Sequence, residues 1–462
     1  MTRPSAVRTL AVIGGGFSGT LFALKLSAAR PDWQVLLIEP SRPGRGLAYG
    51  AAEAPHVLNV PVSRMEVGLE PSFAVWLERR KDTIAEALAE ADGKLADAFV
   101  PRRLFGDYLA ERLAECRSNL TLVEGEAVAV SDRPRAVQLA DGRKLAADQV
   151  VLALGNLPAP SPFAPSPRLI ADPWAAGALD GVKADAAVLL IGTGLTMVDM
   201  ILSLRARGHR GALQAVSRHG LLPHSHASGG SWRAGITAGL SPALALRAVR
   251  RDVARAADLN IPWQRVFDAV RPMVAHIWSL WSLPQKRSFL RHLRSIWDVH
   301  RHRLAQRLDT RLQALLADGT LTVTAGRVLA VDTGRDYVTA FIRQPGERPH
   351  LIEADHAILC MGPLLSLRKS PVPLLRDLFA RGLVRADALN LGLESRDCAL
   401  LDARGAESDW LFALGPLTRP ALWEIVAVPE INAQIDQLVG HIASGSAPRA
   451  LHAIFVDIGA GI

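Results

Sequence analysis

Local redox and metal chemistry are the first things this sequence lacks. Its three cysteines, Cys116, Cys360 and Cys398, lie far apart, and no CxxC or CxxxxC pair brings two together. That excludes a local redox dithiol and a cysteine-built metal knuckle, and so sparse a count fits a reducing compartment. No HExxH string surrounds His292, His300 or His302, and no GxSxG elbow occurs, so neither a zinc protease nor a serine hydrolase is encoded. Lysine is scarce too: of 53 basic residues only seven are lysine, the rest being arginine spread along the chain with no basic tail. The net charge of +8 therefore does not by itself point to nucleic acid.

Long apolar runs are also missing. Leu10–Ile13 stops at three glycines, too short for the apolar region of a secretory signal. The stretch from Ala186 to Leu204 is interrupted by Thr193, Thr196, Asp199 and two glycines, too polar for a span of about 20 apolar residues. These features predict a soluble, cytoplasmic protein acting on a small molecule, with no membrane or nucleic-acid partner; the oligomeric state is left open. With 49% hydrophobic and 21% charged residues, the composition is that of a folded globular chain long enough for two domains.

What is present is a repeat. An apolar strand, a Gly-x-Gly turn and a helix occur twice, once as Thr9–Ile13 with Gly14, Gly16, Ser18 and Gly19, and again as Ala187–Ile191 with Gly192, Thr193 and Gly194. In such units the first glycine makes the tight turn and the second admits a pyrophosphate. The third lets the helix pack on the sheet, and the helix N-terminus faces the phosphates. Glu39 follows Gly19 by 20 residues at the end of the next strand, where a carboxylate accepts hydrogen bonds from a ribose diol. In the second unit Met197 stands in the third-glycine place. The next strand ends in Ser217-Arg218-His219 with no acid, and Arg218 either meets the 2′-phosphate of NADPH or is one more solvated arginine.

The spacing predicts an α/β chain with two doubly wound, Rossmann-like dinucleotide-binding domains. Residues 1–165 begin an FAD-binding domain, 180–350 form an NAD(P)H-binding domain, and 351–462 return to the first. A helical, arginine-rich insert occupies about 241–318, with Trp263, Trp278, Trp281 and Trp297 on apolar stripes. Other strands are expected at Leu321–Val331, Asp336–Ile342, His356–Cys360 and Trp410–Leu414, with a hairpin-like stretch at Leu120–Val151 turning at Asp141-Gly142. Gly155, Gly362 and Gly415 each follow an apolar strand where backbone would pass close to a cofactor. The helix starting near Val428-Pro429 could aim its positive end at a flavin. Two dinucleotides in one chain imply an enzyme in which a flavin takes a hydride from NADPH.

Several blocks then resemble a family of bacterial FAD/NAD(P)-binding proteins. They are Gly44-Arg45-Gly46-Leu47-Ala48-Tyr49-Gly50, His56 to Pro61, Pro101-Arg102-Arg103, Asp172-Pro173-Trp174, Gly192 to Asp199, Gly415-Pro416-Leu417-Thr418, and Trp423-Glu424 with Val428 to Ile431. That family is similar in turn to the flavin-dependent N-hydroxylating monooxygenases. The resemblance implies FAD and NADPH as cofactors and oxygen transfer to an amine or amino acid through a flavin C4a-hydroperoxide. It also places Asn59, Arg64 and Met65 over the flavin ring. The Phe-x-Gly-x-x-x-His string of the Baeyer–Villiger and flavin-containing monooxygenases is absent, and Asp172-Pro173-Trp174 stands near its place. A reductase without oxygen transfer and a non-catalytic redox sensor remain alternatives.

Arg45 either meets the adenosine or pyrophosphate or is solvated. Ala127 either offers its backbone to the adenine or is core. Pro416 joins Gly415 as a candidate on the returning segment. In the insert, Arg287, Arg291, His300 and Arg301 are read either as a basic face toward an acidic substrate or as a solvated one. No catalytic acid, base or metal ligand is assigned.

Overall fold

The computed structural model describes residues 7–115, 118–334, 336–364 and 366–445; Cys116 lies outside them. Two mainly parallel sheets organise the chain, the first with an antiparallel edge. The first has seven strands in the spatial order Ser395–Arg396, Ala399–Leu401, Glu407–Ala413, Gln149–Leu152, Thr9–Ile13, Gln34–Glu39 and Leu120–Glu124. Thr9–Ile13 lies near its middle, with Ile13 opposite both Ile38 and Leu152. Leu10, Ala11 and Val12 are fully buried. That explains why the strand reads as an unbroken apolar run rather than an alternating one.

The second large sheet runs Leu321–Ala325, Leu213–Ser217, Val188–Ile191, His356–Leu359 and Leu169–Ile170. Between its strands the chain inserts helices from Pro242–Asp258 to Gln306–Ala317. These are amphipathic segments whose apolar sides form a small core of their own around Ile236, Ala245, Val270 and Ile277. The first sheet is thus discontinuous in sequence: the chain leaves it after Leu152 and re-enters at Ser395.

Three expectations are corrected. His356–Leu359 pairs with Val188–Ile191, and His350–Ala354 joins an antiparallel sheet with Arg327–Thr333 and Val338–Arg343. The return therefore starts after residue 359 and not at 351. The run from Leu321 to Val331 is two strands in two sheets, divided at Gly326, whose N–H donates to the Ser217 carbonyl at 2.8 Å. Leu120–Glu124 is not half of a hairpin; it pairs in parallel with Gln34–Glu39, and only Ala127 to Ala146 forms an antiparallel meander. Within the Pro-rich stretch 158–173, Leu169–Ile170 extends the second sheet. Among the described residues no helix is long and apolar enough to cross a membrane.

Candidate functional site

Gly14 adopts φ +104°, and a Cβ there would stand 2.5 Å from the Ala153 carbonyl oxygen. Only glycine fits a turn held this closely between two strands. Its N–H donates to the Ile38 carbonyl at 2.9 Å, while the Ala153 N–H donates to that of Ile13 at 2.8 Å. The helix Phe17–Ala29 begins at once, with Gly16 as an N-cap that supplies no side-chain acceptor. Its first amides are left to face the turn, which suits an anion. At Gly19 a Cβ would come within 1.8 Å of the Gly14 carbonyl oxygen, so the helix can pack here only without a side chain. Ser18 is buried beside it.

Glu39 stands at the mouth of this turn. Its Oε2 accepts from the Gly15 N–H at 2.6 Å, and Oε1 from the Ser41 and Arg42 N–H groups at 3.3 Å each. The chain then folds back over the turn, the Gly44 N–H donating to the Gly15 carbonyl at 2.8 Å. Arg45 is carried to this spot, but its guanidinium is engaged by Asp107 at 2.9 Å. An open cleft of about 690 Å³ lies beside Pro40 and the Thr121–Gly125 edge, bounded by Asp141 and Arg143. Ala127 is buried in the core just beyond, paired with Leu139.

The far end of the chain closes the site. Gly415, at φ +65°, passes so near that its Cβ would lie 3.1 Å from Ser18 Oγ. Its N–H donates to Gln434 Oε1 at 2.8 Å, Gln434 Nε2 donates to Thr418 Oγ1 at 2.9 Å, and that hydroxyl donates to the Gly415 carbonyl at 2.8 Å. This closed, buried triangle fixes the segment, with Pro416 half-buried at its edge. Gly155, also at φ +65°, faces open space. The predicted residues part company at the Ser41–Gly68 excursion. Met65 is buried in the first core, and Asn59 is exposed with its carbonyl taken by His226 Nε2 at 2.9 Å. Arg64 is half-buried, its pKa lowered by burial and then by the nearby cation of Arg271.

The second turn repeats the first. Gly192 adopts φ +121°, and its Cβ would stand 2.3 Å from the Cys360 carbonyl oxygen. The Gly192 N–H donates to the Val216 carbonyl at 2.8 Å, and the Cys360 N–H to that of Ile191 at 2.9 Å. Gly194, the N-cap of the helix Leu195–Ala206, faces open space. Met197 in the third-glycine place is fully buried and packs into the second core. Thr193 Oγ1 lies 2.8 Å from Ser217 Oγ and 2.6 Å from the Leu221 carbonyl. Arg218, next in the chain, is exposed and has no ion pair or hydrogen bond among the described residues. A cavity of about 390 Å³ follows, walled by Gly220 to Ser225, Trp263, Gln264, Asp309 and Gln313.

Two clamps hold the halves together, each built partly from residues that the sequence motifs contain without declaring their role. Arg102 makes a two-pronged ion pair with Asp199 at 3.0 and 3.2 Å. His56 Nε2 lies 3.0 Å from the Asp199 carbonyl and 2.9 Å from Ser203 Oγ, with its ring edge-on to Trp174. The other clamp ties the insert to the returning segment. Arg271 meets both oxygens of Glu430 at 2.6 and 2.8 Å, while buried Glu424 accepts from Arg301 Nε at 3.0 Å and from Trp297 Nε1 at 2.8 Å.

The proposed basic face of the insert is therefore not one face. Arg287 and Arg291 are exposed, Arg301 is buried on Glu424, and His300 stacks on Phe267. Cys360 and Cys398 are both buried, and burial pushes both thiols up, away from the thiolate form. Among the described residues no group of three or more His, Cys, Asp or Glu is placed to hold a metal ion.

Comparison with known proteins agrees with this geometry. Residues 11–157 match the family model described as FAD-NAD(P)-binding. A Streptomyces cremeus L-aspartate N-monooxygenase (nitrosuccinate-forming) is 29% identical over 47% of this chain and 40% of its own. A Mycobacterium tuberculosis protein is 23% identical over 96% of both chains. Among solved structures, the Kutzneria ornithine N-hydroxylase superposes with a TM-score of 0.64 at 15% identity, covering 95% of this chain and 100% of its own. Residues 11–157 thus match an FAD-NAD(P)-binding family model, and the chain as a whole shares the fold of the ornithine N-hydroxylase.

Proposed function

We propose that the protein is an FAD- and NADPH-dependent oxidoreductase and, more narrowly, a monooxygenase that oxidises an amine or amino acid. The observation that carries this reading is the duplication of one turn. Gly14 and Gly192 share a positive φ, the same pair of cross-strand hydrogen bonds and an uncapped helix behind them. The residues present fit the two cofactors. Each turn is a backbone cradle that a Cβ would fill, and each ends at helix amides with no side-chain cap.

FAD would be held by Gly14, Gly16, Ser18, Gly19 and Glu39, with Arg45, Ala127, Gly155, Gly415 and Pro416 around it and Asn59 and Met65 on the excursion. Of these, Met65 would act from beneath, since its side chain is core. NADPH would be held by Gly192, Thr193, Gly194, Ser217 and Arg218. Together the two cofactors would supply hydride transfer from nicotinamide to flavin and, in a monooxygenase, electron delivery to oxygen. The chain's own work is to bind and orient. The helix termini offset phosphate charge, the Gln434–Thr418 triangle fixes Gly415, and the two clamps keep the halves in register. Oxygen transfer to nitrogen is supported by the named activities of the Streptomyces and Kutzneria proteins.

The test is spectroscopic and chemical. The purified protein should be yellow, and NADPH added without oxygen should bleach the flavin band. Readmitted air should restore the band and, with an amine present, yield a hydroxylamine. A protein that stays colourless with added FAD would overturn the reading. Bleaching with peroxide as the sole product would leave a reductase, and a yellow protein that NADPH never bleaches would leave a sensor.

A further inference from the structure

The helical insert forms a partly open cavity of about 90 Å³ that neither turn uses. Its wall comes from five insert helices and one residue of the returning segment, Trp423. Tryptophan dominates it, and the indole N–H groups are mostly spent elsewhere. Trp278 Nε1 donates to the Pro420 carbonyl at 2.9 Å, Trp281 Nε1 to that of Leu240 at 2.8 Å, and Trp297 Nε1 to Glu424 at 2.8 Å. What these rings offer the cavity is carbon. Trp423 stacks on Trp278 at 4.9 Å, and its own Nε1 is buried without a partner among the described residues.

A buried water needs two to four polar partners, and this wall supplies one donor at most, so water is poorly held here. A charged ligand end would lose its hydration with nothing in return. An apolar group loses nothing and removes its surface from water. Size narrows the choice. A dry cavity of about 150 Å³ accepts benzene, so this smaller one suits a short branched alkyl group better than a ring. Position adds a second argument. Trp423 follows Gly415 by eight residues on the segment that carries the Gln434–Thr418 triangle, and Glu424 beside it is locked to the insert by Arg301. The cavity is therefore coupled to the segment placed against the first nucleotide turn.

We infer that this cavity seats the apolar end of the substrate. On the monooxygenase reading above, the substrate is then an amine or amino acid with a branched alkyl side chain, and not one with a second charged end. The cavity and the flavin chemistry fail separately, because ligand binding to the insert can be read without turnover.

The test uses the full-length protein with FAD and NADP+ added, following tryptophan fluorescence and calorimetric heat. The probes are isopentylamine, phenethylamine and ornithine. Isopentylamine should perturb the fluorescence and bind at least about tenfold more tightly than ornithine. Leu246→Trp, a filling change at a half-buried wall position, should abolish that preference while leaving the melting temperature within a few degrees. Ile277→Ala should enlarge the space and bring phenethylamine up to the affinity of isopentylamine, a gain that mere destabilisation would not produce. Binding in a colourless protein would keep the cavity and remove the flavin reading. Three outcomes overturn the inference: ornithine binding as well as isopentylamine, no probe binding at all (a plain packing void), or Leu246→Trp leaving the preference intact.

Discussion

Arg102 and Asp199 face each other across the boundary between the two nucleotide-binding halves, joined through both guanidinium Nη atoms and both carboxylate oxygens. Arg102 also donates to the Val57 carbonyl, so the excursion after the first turn is pinned by the same side chain. Asp199 sits on the helix that starts at Gly194, and the pair therefore fixes one turn relative to the other. Arg102→Ala leaves the buried Asp199 carboxylate without its cation and should cost about 3 kcal/mol in chemical denaturation. Arg102→Lys keeps the charge but loses the fork, and should recover part of that loss. If both variants unfold with the wild type, the pair does not hold the halves together.

Acid should weaken the protein before its carboxylates titrate. His56, His226 and His302 all lie below the ordinary histidine value of 6.5, burial being the main cause, and the latter two are pushed down to about 4. They stay neutral when folded, whereas the unfolded chain binds protons once the pH falls below about 6.5. Stability is thus complete above that pH and declines between about 6.5 and 4. Glu424 adds a further loss below its usual 4.5. Burial alone would raise it, but the Arg301 and Arg271 cations and the Trp297 hydrogen bond hold it lower, and protonation gives up that attraction. Urea midpoints measured from about pH 7.5 to 4 should fall accordingly, and His226→Gln should flatten the upper part of the curve. A flat profile in the wild type would refute the buried-neutral assignment.

The parts of this fold that could be read from the sequence are those whose cause is local. The two Gly-x-Gly turns were visible because the forbidden Cβ positions at Gly14 and Gly192 are set by adjacent strands and restrict those sites to glycine. The sheet that owns His356–Leu359 was not visible. A fully buried parallel strand is apolar whichever sheet it enters, so nothing local in the sequence separates a return at 351 from one after 359. Arg301 misled for the opposite reason. Next to His300 it looked like part of a basic face, yet Glu424 and Glu430, more than 120 residues away, draw it inside. The charges were readable; the pairing of Arg102 with Asp199 over 97 residues was not.

The second turn offers a cleaner probe than the first. A Cβ at Gly192 meets the Cys360 carbonyl oxygen at 2.3 Å, and φ +121° is hostile to any other residue. Gly192→Ala should therefore destabilise the whole second sheet. A Cβ at Gly194 meets only open space, and that residue has φ −85°. Gly194→Ala should fold, losing no more than about 1 kcal/mol through the poorer N-cap. Its methyl would enter the space proposed for the pyrophosphate, so NADPH binding, measured by titration, should weaken at least about tenfold while flavin content stays unchanged. Unaltered NADPH affinity would mean that the dinucleotide does not cross this turn.

On the proposed reading, Arg218 selects NADPH over NADH. It follows the strand Leu213–Ser217 directly, beside Thr193 and Ser217, and is exposed with its guanidinium unengaged among the described residues. A free cation at the end of the second strand suits a 2′-phosphate, where an acid would suit the free ribose diol. Hydrogen bonds to charged groups contribute about 1.5–3 kcal/mol, so Arg218→Ala should raise KM for NADPH roughly 10- to 100-fold in anaerobic flavin reduction. The reaction with NADH should change little, and so should the melting temperature, because the side chain supports nothing else. Arg218→Glu should go further and reverse the preference, since a carboxylate repels the 2′-phosphate and accepts from the diol. Equal losses with NADPH and NADH would show instead that Arg218 does not read the 2′-phosphate.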